Sequence, residues 1–311
     1  MAELPQLSIV IPVYNEEGNL QTLYNSLSFV LKGSGLSYEL IVVDDGSTDQ
    51  SPKIVAELNK KDARVKLLSF SRNFGHMVAL SAGLDVATGD AVITMDADLQ
   101  HPPELIPTLI EKWRGGADVV NTLRKDTKGV GVFKKISASL FYWLINRIAK
   151  INLPPSAADY RLLDRQVVEA LKQVHERSRF LRGLISWVGF KQDFVDYSAD
   201  PRFAGQTKYS TGRMLSFAID GITSFSAFPL RLATYLGLLT ALVSFLYILY
   251  AFYIRIFTNR AIEGWASVLV AVLFIGGIQL IFLGVIGEYL SRVYEEAKQR
   301  PLYIVSKRIG L

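Results

Sequence analysis

Cysteine is absent from this 311-residue sequence, which excludes disulfides, zinc–thiolate sites and thiol nucleophiles together. Histidine is scarce, with three in all. His76, His101 and His175 each stand alone, and a lone histidine is more often structural than catalytic; His101, beside the acids at Asp96 and Asp98, is the exception. No G-x-G-x-x-G and no G-x-x-x-x-G-K-[ST] occurs, so the dinucleotide fingerprint and the P-loop are missing. A nucleotide bound here would have to be held by acids on its base and ribose, and by a metal on its phosphates. Charge is missing too, over two long stretches: residues 233–254 and 264–287 contain no Asp, Glu, Lys or Arg.

Those stretches explain an apolar fraction of 50% and a mean hydropathy of +0.24, both high for a soluble chain. At about 1.5 Å per residue each reaches or exceeds the roughly 30 Å of a bilayer's hydrocarbon layer. Two transmembrane helices, about 232–255 and 264–288, are therefore expected. The nine residues between the charge-free runs, Arg255 to Glu263, force a hairpin with both ends on one side. Lys208, Arg213 and Arg231 precede it and Arg292, Lys298, Arg300, Lys307 and Arg308 follow it, so both ends should be cytosolic. The N-terminus lacks a basic leader, and its apolar stretch is broken by Pro5 and Pro12, so no signal peptide is expected. The expected organisation is a cytosolic catalytic domain over residues 1–230, the hairpin over 231–290 and a basic tail over 291–311. A net charge of +5 comes with no nucleic-acid motif. Much of the excess flanks the spans, which favours anionic headgroups and phosphate substrates over nucleic acid.

Ahead of the hairpin, short apolar runs alternate with helical spacing. Leu7 to Val13, Tyr38 to Val43, Val65 to Phe70 and the run from Ala91 read as strands. Leu20, Leu23, Leu27 and Val30 give a helical stripe. The alternation predicts a mostly parallel sheet covered by helices on both faces, with ligands beyond the carboxyl ends of its strands. There the sequence has Asn15, Glu17, Asp44, Asp45, Arg72, Asp96 and Asp98. Asp96, Asp98 and Gln100 alternate, and on an extended backbone they would share one face, offering hard oxygen ligands to Mg²⁺ or Mn²⁺. Asp44 to Asp49 also suits a turn and helix cap, and Asn15 and Glu17 also suit a helix start.

Ile11-Pro-Val-Tyr-Asn-Glu-Glu17, Asp44-Asp-Gly-Ser-Thr-Asp49 and Asp96-Ala-Asp-Leu-Gln-His-Pro-Pro-Glu104 resemble the N-terminal signatures of family 2 glycosyltransferases. With Asp159-Tyr-Arg-Leu-Leu-Asp164 and the paired spans, the resemblance is to the polyprenyl-phosphate branch, which includes dolichol-phosphate mannosyltransferases and GtrB-type glucosyltransferases. It implies an α/β GT-A fold, Rossmann-like, with interfacial amphipathic helices (about 134–150 and 211–228) before the hairpin. It also implies a nucleotide-sugar pocket of Pro12, Tyr14, Glu16, Glu17, Asp44, Asp45, Arg72, Asp96, Ala97, Arg202 and Lys208, with Asp45, helped by Asp44, on the base. Asp96, Asp98 and Gln100 would hold the metal, and Arg124, Lys134, Lys135 and Ser139 the acceptor phosphate. Asp159, with Arg161, would be the catalytic pair facing the acceptor; Ser156-Ala157-Ala158 replaces a glycine-containing version of the segment before it.

The implied reaction is inverting, metal-dependent transfer of a sugar to a polyprenyl phosphate on the cytosolic face of a bacterial plasma membrane, with UDP-glucose the expected donor. GDP-mannose or a modified UDP-sugar is the alternative donor. A processive polysaccharide synthase is disfavoured, because Gln-x-x-Arg-Trp is absent and two spans are few for a channel. A non-catalytic nucleotide-sugar binder is disfavoured by the intact acids. Homo-oligomerisation through the spans is a further expectation. The acceptor phosphate, with a second pKa near 6, is already mostly dianionic at pH 7. Asp159 is therefore expected chiefly to orient cations, with Arg161, Arg202, Lys134 and Lys135 as candidates, and secondarily to capture the acceptor proton when the monoanion binds.

Overall fold

The structure is a computed structural model that describes residues 5–125, 146–147, 157–177, 179–198, 226–258 and 264–311. The chain divides into two units, residues 1–218 with 300–311, and residues 219–299.

The first unit contains β1 (Leu7–Val13), α1 (Leu20–Ser34), β2 (Tyr38–Asp44), α2 (Ser51–Lys61), β3 (Val65–Phe70), α3 (His76–Val86) and β4 (Ala91–Thr94). After a short 3-10 turn follow α4 (Ile106–Arg114), β5 (Val119–Lys125), β6 (Ala157–Asp164), α5 (Arg165–Lys172), α6 (Leu181–Trp187) and β7 (Gln192–Ser198), with β8 (Val305–Ile309) closing the chain. β1 and β2 are buried at every position, as expected for parallel strands covered on both faces. Leu20, Leu23, Leu27 and Leu31 form the buried stripe of α1, which stops at Gly35 with φ 70°, the left-handed cap that glycine adopts at little cost. The core includes Leu7, Ile9, Leu67, Ile93 and Leu162, all fully buried. Each such side chain contributes roughly 1.5–3 kcal/mol by leaving water. Helix α3 lies so close to β1 that a Cβ on Gly83 would fall 2.1 Å from Val10 Cγ1.

The sheet order is β7-β5-β6-β4-β1-β2-β3-β8. From β1 the chain winds through β2 to β3 on one side and returns to β4 on the other, with these contacts parallel. The carboxyl ends of β1 and β4 thus flank the point where strand order reverses, where a crevice opens in such sheets. β6 runs antiparallel to β4, with Arg161 opposite Thr94. Two residues earlier in β6 is Asp159, at the level that Asp96 reaches two residues after Thr94. This return brings a segment distant in sequence to the same edge.

β8 pairs antiparallel with β3 and forms the other edge of the sheet. The expected basic tail from residue 291 is therefore not a tail throughout: residues 300–311 belong to the first unit. Apolar Val305 and Ile309 are its half-buried positions, while Lys307 and Arg308 stay exposed.

The second unit holds α7 (Phe228–Thr258) and α8 (Trp265–Ala297). Both are long and apolar enough to cross a membrane, over Phe228–Ile254 and Val268–Ala297, and the apolar windows are not buried in protein. Leu239 is 57% exposed and Leu280 70%, an arrangement stable against lipid and costly against water. Helix α8 runs beyond the expected end near residue 288 because its charged continuation supports itself, with Arg292 3.1 Å from Glu288 one turn away. The expected interfacial helix at 134–150 lies outside the described residues except for Asn146 and Arg147, which are helical, and that at 211–228 except for its last three residues.

Candidate active site

Sequence and structure agree on where polar groups gather, and differ on how they are arranged. β4 ends at Thr94, so strand alternation does not align Asp96, Asp98 and Gln100 as expected. The chain turns instead: Gln100 N–H donates to Asp98 Oδ1 at 3.1 Å, and Leu99 between them has φ 60°. A non-glycine residue in the left-handed region carries a local cost, and the Asp98 side-chain turn offsets it.

Asp96 is held by two histidines. Its backbone N–H donates to His101 Nδ1 at 2.9 Å, so the proton of the neutral ring is on Nε2, which faces Asp96 Oδ2 at 3.8 Å. Burial pushes the His101 pKa down despite the nearby acids. The ring stacks on Tyr160 with centroids 5.1 Å apart, and Tyr160 in turn donates to Pro102 O at 2.9 Å. On the opposite side His76, the first residue of α3, lies 2.7 Å from Asp96 Oδ1. Burial alone would lower the His76 pKa, but Asp96 raises it overall. The position of His101 beside the metal motif sets it apart from the other histidines, whereas the His76 contact is not apparent from spacing.

Asp159 is 8% exposed and meets two guanidiniums. Arg182, from α6, donates Nε to Oδ1 and Nη2 to Oδ2, both at 2.8 Å. Arg161 donates to Oδ1 at 3.2 Å and to Ala158 O at 2.7 Å. Burial would raise the Asp159 pKa, but Arg182 and then Arg161 hold it well below the usual carboxylate range. The Arg161 pKa is pushed down to about 10 by burial, against the pull of Asp159, which leaves it cationic at neutral pH. The fork from Arg182 is the bidentate geometry that lysine cannot reproduce. The sequence reading missed Arg182, which lies 23 residues after Asp159 and outside any motif. Asp164, the other acid of the Asp159 segment, caps α5 by accepting from Gln166 N at 2.8 Å.

On the β1–β3 side the acids fasten loops to each other. Asp44 Oδ1 accepts from Ser47 N at 2.9 Å. Asp45 Oδ1 accepts from Phe74 N at 2.6 Å, and its Oδ2 from Gly75 N at 3.0 Å. Burial, with Asp44 beside it, raises the Asp45 pKa although those N–H groups oppose it. Glu17 N–H donates to Asp49 at 3.1 Å, and Glu17 accepts from Gln50 N at 2.9 Å. Glu16 N–H donates to Ser51 Oγ at 3.0 Å. The turn-and-cap alternative for these residues thus has contacts of its own. Pro12 and Ala97 are buried, while Tyr14 and Arg72 are exposed beside the same loops; the Arg72 guanidinium lies 4.2 Å from the Phe74 ring centre. Arg124 is exposed on β5 opposite Tyr197. Lys134, Lys135, Ser139, Arg202 and Lys208 lie outside the described residues.

A divalent cation fits the donors at the end of β4 in kind: two carboxylates and an amide oxygen are hard ligands. Among the described residues no three His, Cys, Asp or Glu side chains form a closed cage.

Residues 8–172 match the family described as Glycosyl transferase family 2, and residues 228–293 match the GtrB C-terminal hairpin. An uncharacterized glycosyltransferase of Bacillus subtilis, YkcC, is 49% identical over 98% of this chain and 95% of its own length. A prophage bactoprenol glucosyl transferase homolog of Escherichia coli is 44% identical, covering 97% of this chain and 99% of that protein. The bactoprenol glucosyl transferase of Shigella phage SfX is 43% identical with the same coverage. The hairpin match and the two long apolar helices make this a membrane-associated protein.

Proposed function

The chain belongs to glycosyl transferase family 2 and is a glycosyltransferase, and from that premise we propose that it transfers glucose from UDP-glucose to a polyprenyl phosphate on the cytosolic side of a membrane. The observation that carries this reading is full-length similarity: relatives named for bactoprenol glucosyl transfer align over 97% of the chain, hairpin included. Association of copies through the hairpin is part of the same reading.

The donor occupies the crevice beyond β1, β2 and β4. Tyr14 and Arg72 are within reach of a nucleotide there, and Asp44 and Asp45 hold the loops that meet its base and ribose. Glu16, Glu17, Arg202 and Lys208 complete the donor side. Asp96, Asp98 and Gln100 would hold Mg²⁺ or Mn²⁺, which when bound neutralises the charge that develops on the departing diphosphate. His101 fixes Asp96 by its backbone, and His76 fixes it by its carboxylate.

The acceptor phosphate meets the cations near Asp159. One of its oxygens attacks the anomeric carbon from the face opposite the leaving nucleoside diphosphate, so the bond to the diphosphate oxygen breaks as the new one forms and the centre inverts. Because the nucleophile is largely dianionic at pH 7, Asp159 has little proton to remove. Its work is to hold the planes of Arg161 and Arg182 toward the incoming anion, with Arg124 on β5, and with Lys134, Lys135 and Ser139 as further acceptor-phosphate residues.

Purified full-length enzyme in detergent should transfer glucose from UDP-glucose to undecaprenyl phosphate. EDTA or Asp98→Ala should reduce turnover at least about 100-fold, a loss typical of a removed electrostatic group. Transfer from GDP-mannose in preference would overturn the donor. Undiminished rates in chelator would overturn the metal, and a polymeric product would overturn the acceptor.

A further inference from the structure

The loop between β3 and α3, residues 71–75, is gripped from two sides. On one side Asp45 accepts the Phe74 and Gly75 N–H groups. On that side too the backbones touch: Gly46 has φ 72°, and a Cβ there would fall 2.4 Å from the Arg72 carbonyl carbon. No other residue fits at Gly46 unless the loop moves. Loop 71–75 and the Asp44–Asp49 segment therefore shift together or not at all.

The second grip comes from the end of the chain. Ser71 N–H donates to Ile304 O at 2.9 Å, and Ser306 Oγ lies 3.1 Å from the carbonyl oxygens of both Ser69 and Phe70. The Tyr303 ring stacks on Phe70, with centroids 4.9 Å apart and planes at 21°. Phe70 meets Phe74 edge-on at 5.7 Å, and Arg72 lies over the other partner of that pair. Tyr303 OH also donates to Asp85 Oδ2 at 3.1 Å, which fixes the last turn of α3. Burial and Asp85 raise the Tyr303 pKa to about 12, so the hydroxyl stays a donor at neutral pH.

We infer that Tyr303 and β8, the segment that follows the hairpin in the chain, are positioning elements for nucleotide recognition, acting through the Phe70–Phe74 pair on the loop that carries Arg72 and holds Asp45. This rests on the donor reading above. Tyr303 does not touch the nucleotide; it fixes the wall against which the nucleotide is read. An edge strand that only protected the sheet would need backbone pairing alone. Here an aromatic ladder runs from Tyr303 to Phe70, just before the donor loop, and on to Phe74 within it, and a hydroxyl contact reaches Asp85 in the last turn of the helix that follows the loop.

Full-length wild type, Tyr303→Phe and Tyr303→Ala are compared by calorimetric titration with UDP and, separately, GDP, and by steady-state kinetics. The expected result is an approximately tenfold weaker nucleotide Kd and a matching rise in donor KM for Tyr303→Ala, about 1.4 kcal/mol by the usual conversion. Acceptor KM and kcat should be unchanged, and Tyr303→Phe, which keeps the stack, should recover most of the affinity. If Tyr303→Ala does not fold, Tyr303→Leu, which keeps bulk without the stacked ring, takes its place with the same expectation. Wild-type binding of GDP but not UDP would overturn the donor reading while leaving the variants to be compared with GDP. Unchanged nucleotide affinity in the folded variant would overturn the inference. So would a rise of donor KM and acceptor KM together, with kcat and melting temperature falling alongside.

Discussion

Two buried carboxylates in the same sheet, Glu39 and Asp159, face opposite ends of it and have different surroundings. Glu39, in β2, accepts from Ser8 Oγ at 2.5 Å and from Thr88 N and Oγ1 at 2.9 and 2.8 Å, with Lys66 Nζ 2.7 Å away. Burial would raise its pKa, and Lys66 and these donors bring it below the ordinary value. Most of its partners are neutral hydroxyl and amide groups, and it ties β1, β2, β3 and the turn before β4 together. Asp159 sits at the carboxyl ends of the strands and is met by two guanidiniums, which cannot be neutralised at any ordinary pH. Both acids are ionised and both are paired. Glu39, held mostly by neutral donors, is a fastening; on the proposed function Asp159, which orders two cations, prepares the acceptor side for an anion.

The largest expected effect tests the second half of that contrast. Asp159→Asn should lower kcat/KM for transfer by at least about 100-fold, equal to about 2.7 kcal/mol of transition-state stabilisation. Arg182→Lys should follow it closely, because it keeps the charge and loses the fork. If Arg182→Lys retains wild-type kcat/KM with a short-chain acceptor, the bidentate contact has no part in the reaction, and Asp159 resembles Glu39 after all.

The next effect tests the first half. Glu39→Gln should lower stability by about 2 kcal/mol, less than the 3–5 kcal/mol typical of a broken buried pair, because the Lys66 side chain is 22% exposed and can reach water. Turnover of the folded protein should stay within about twofold of wild type, since the partners of Glu39 among the described residues, Ser8, Thr88 and Lys66, lie outside the site. Denaturant melts in detergent, paired with initial rates, would check both numbers. A loss of turnover larger than the loss of folded protein would erase the distinction between the two ends of the sheet.

The strands of the donor half were legible because parallel strands covered on both faces must be apolar at every position, and Leu7–Val13 and Tyr38–Asp44 satisfy that rule almost without interruption. The acids beyond them were legible because polar residues abruptly ending such runs have few other places to go. Three things were not. β8 is short and mixed, so its Lys307 and Arg308 read as a basic tail, and only pairing with β3 reveals a strand. The turn at Leu99 depends on a left-handed backbone, which alternation of Asp96, Asp98 and Gln100 cannot disclose. Arg182 and His76 reach Asp159 and Asp96 through register and helix placement, and side-chain meetings of that kind follow from topology, not from local pattern.

The smallest expected effect is in the pH profile, and it decides what kind of partner Asp159 is. Its pKa is depressed in the folded protein, since the two guanidiniums outweigh burial. A depressed carboxylate contributes its stabilisation fully above the unfolded value of about 3.9 and loses it only as pH falls through the folded value. From pH 6 to 9, then, neither the charge on Asp159 nor its contribution to stability changes. The acceptor does change: with a second pKa near 6, about half of a phosphate monoester is dianionic at pH 6 and nearly all of it at pH 8. Wild type and Asp159→Asn should therefore rise together by about twofold across that interval and run parallel to pH 9, the variant remaining far below. A general base would give another result, because a base is dispensable once its proton is gone. If Asp159→Asn climbs to meet wild type when the acceptor is fully dianionic, Asp159 removes a proton, and the arginines owe it nothing but charge.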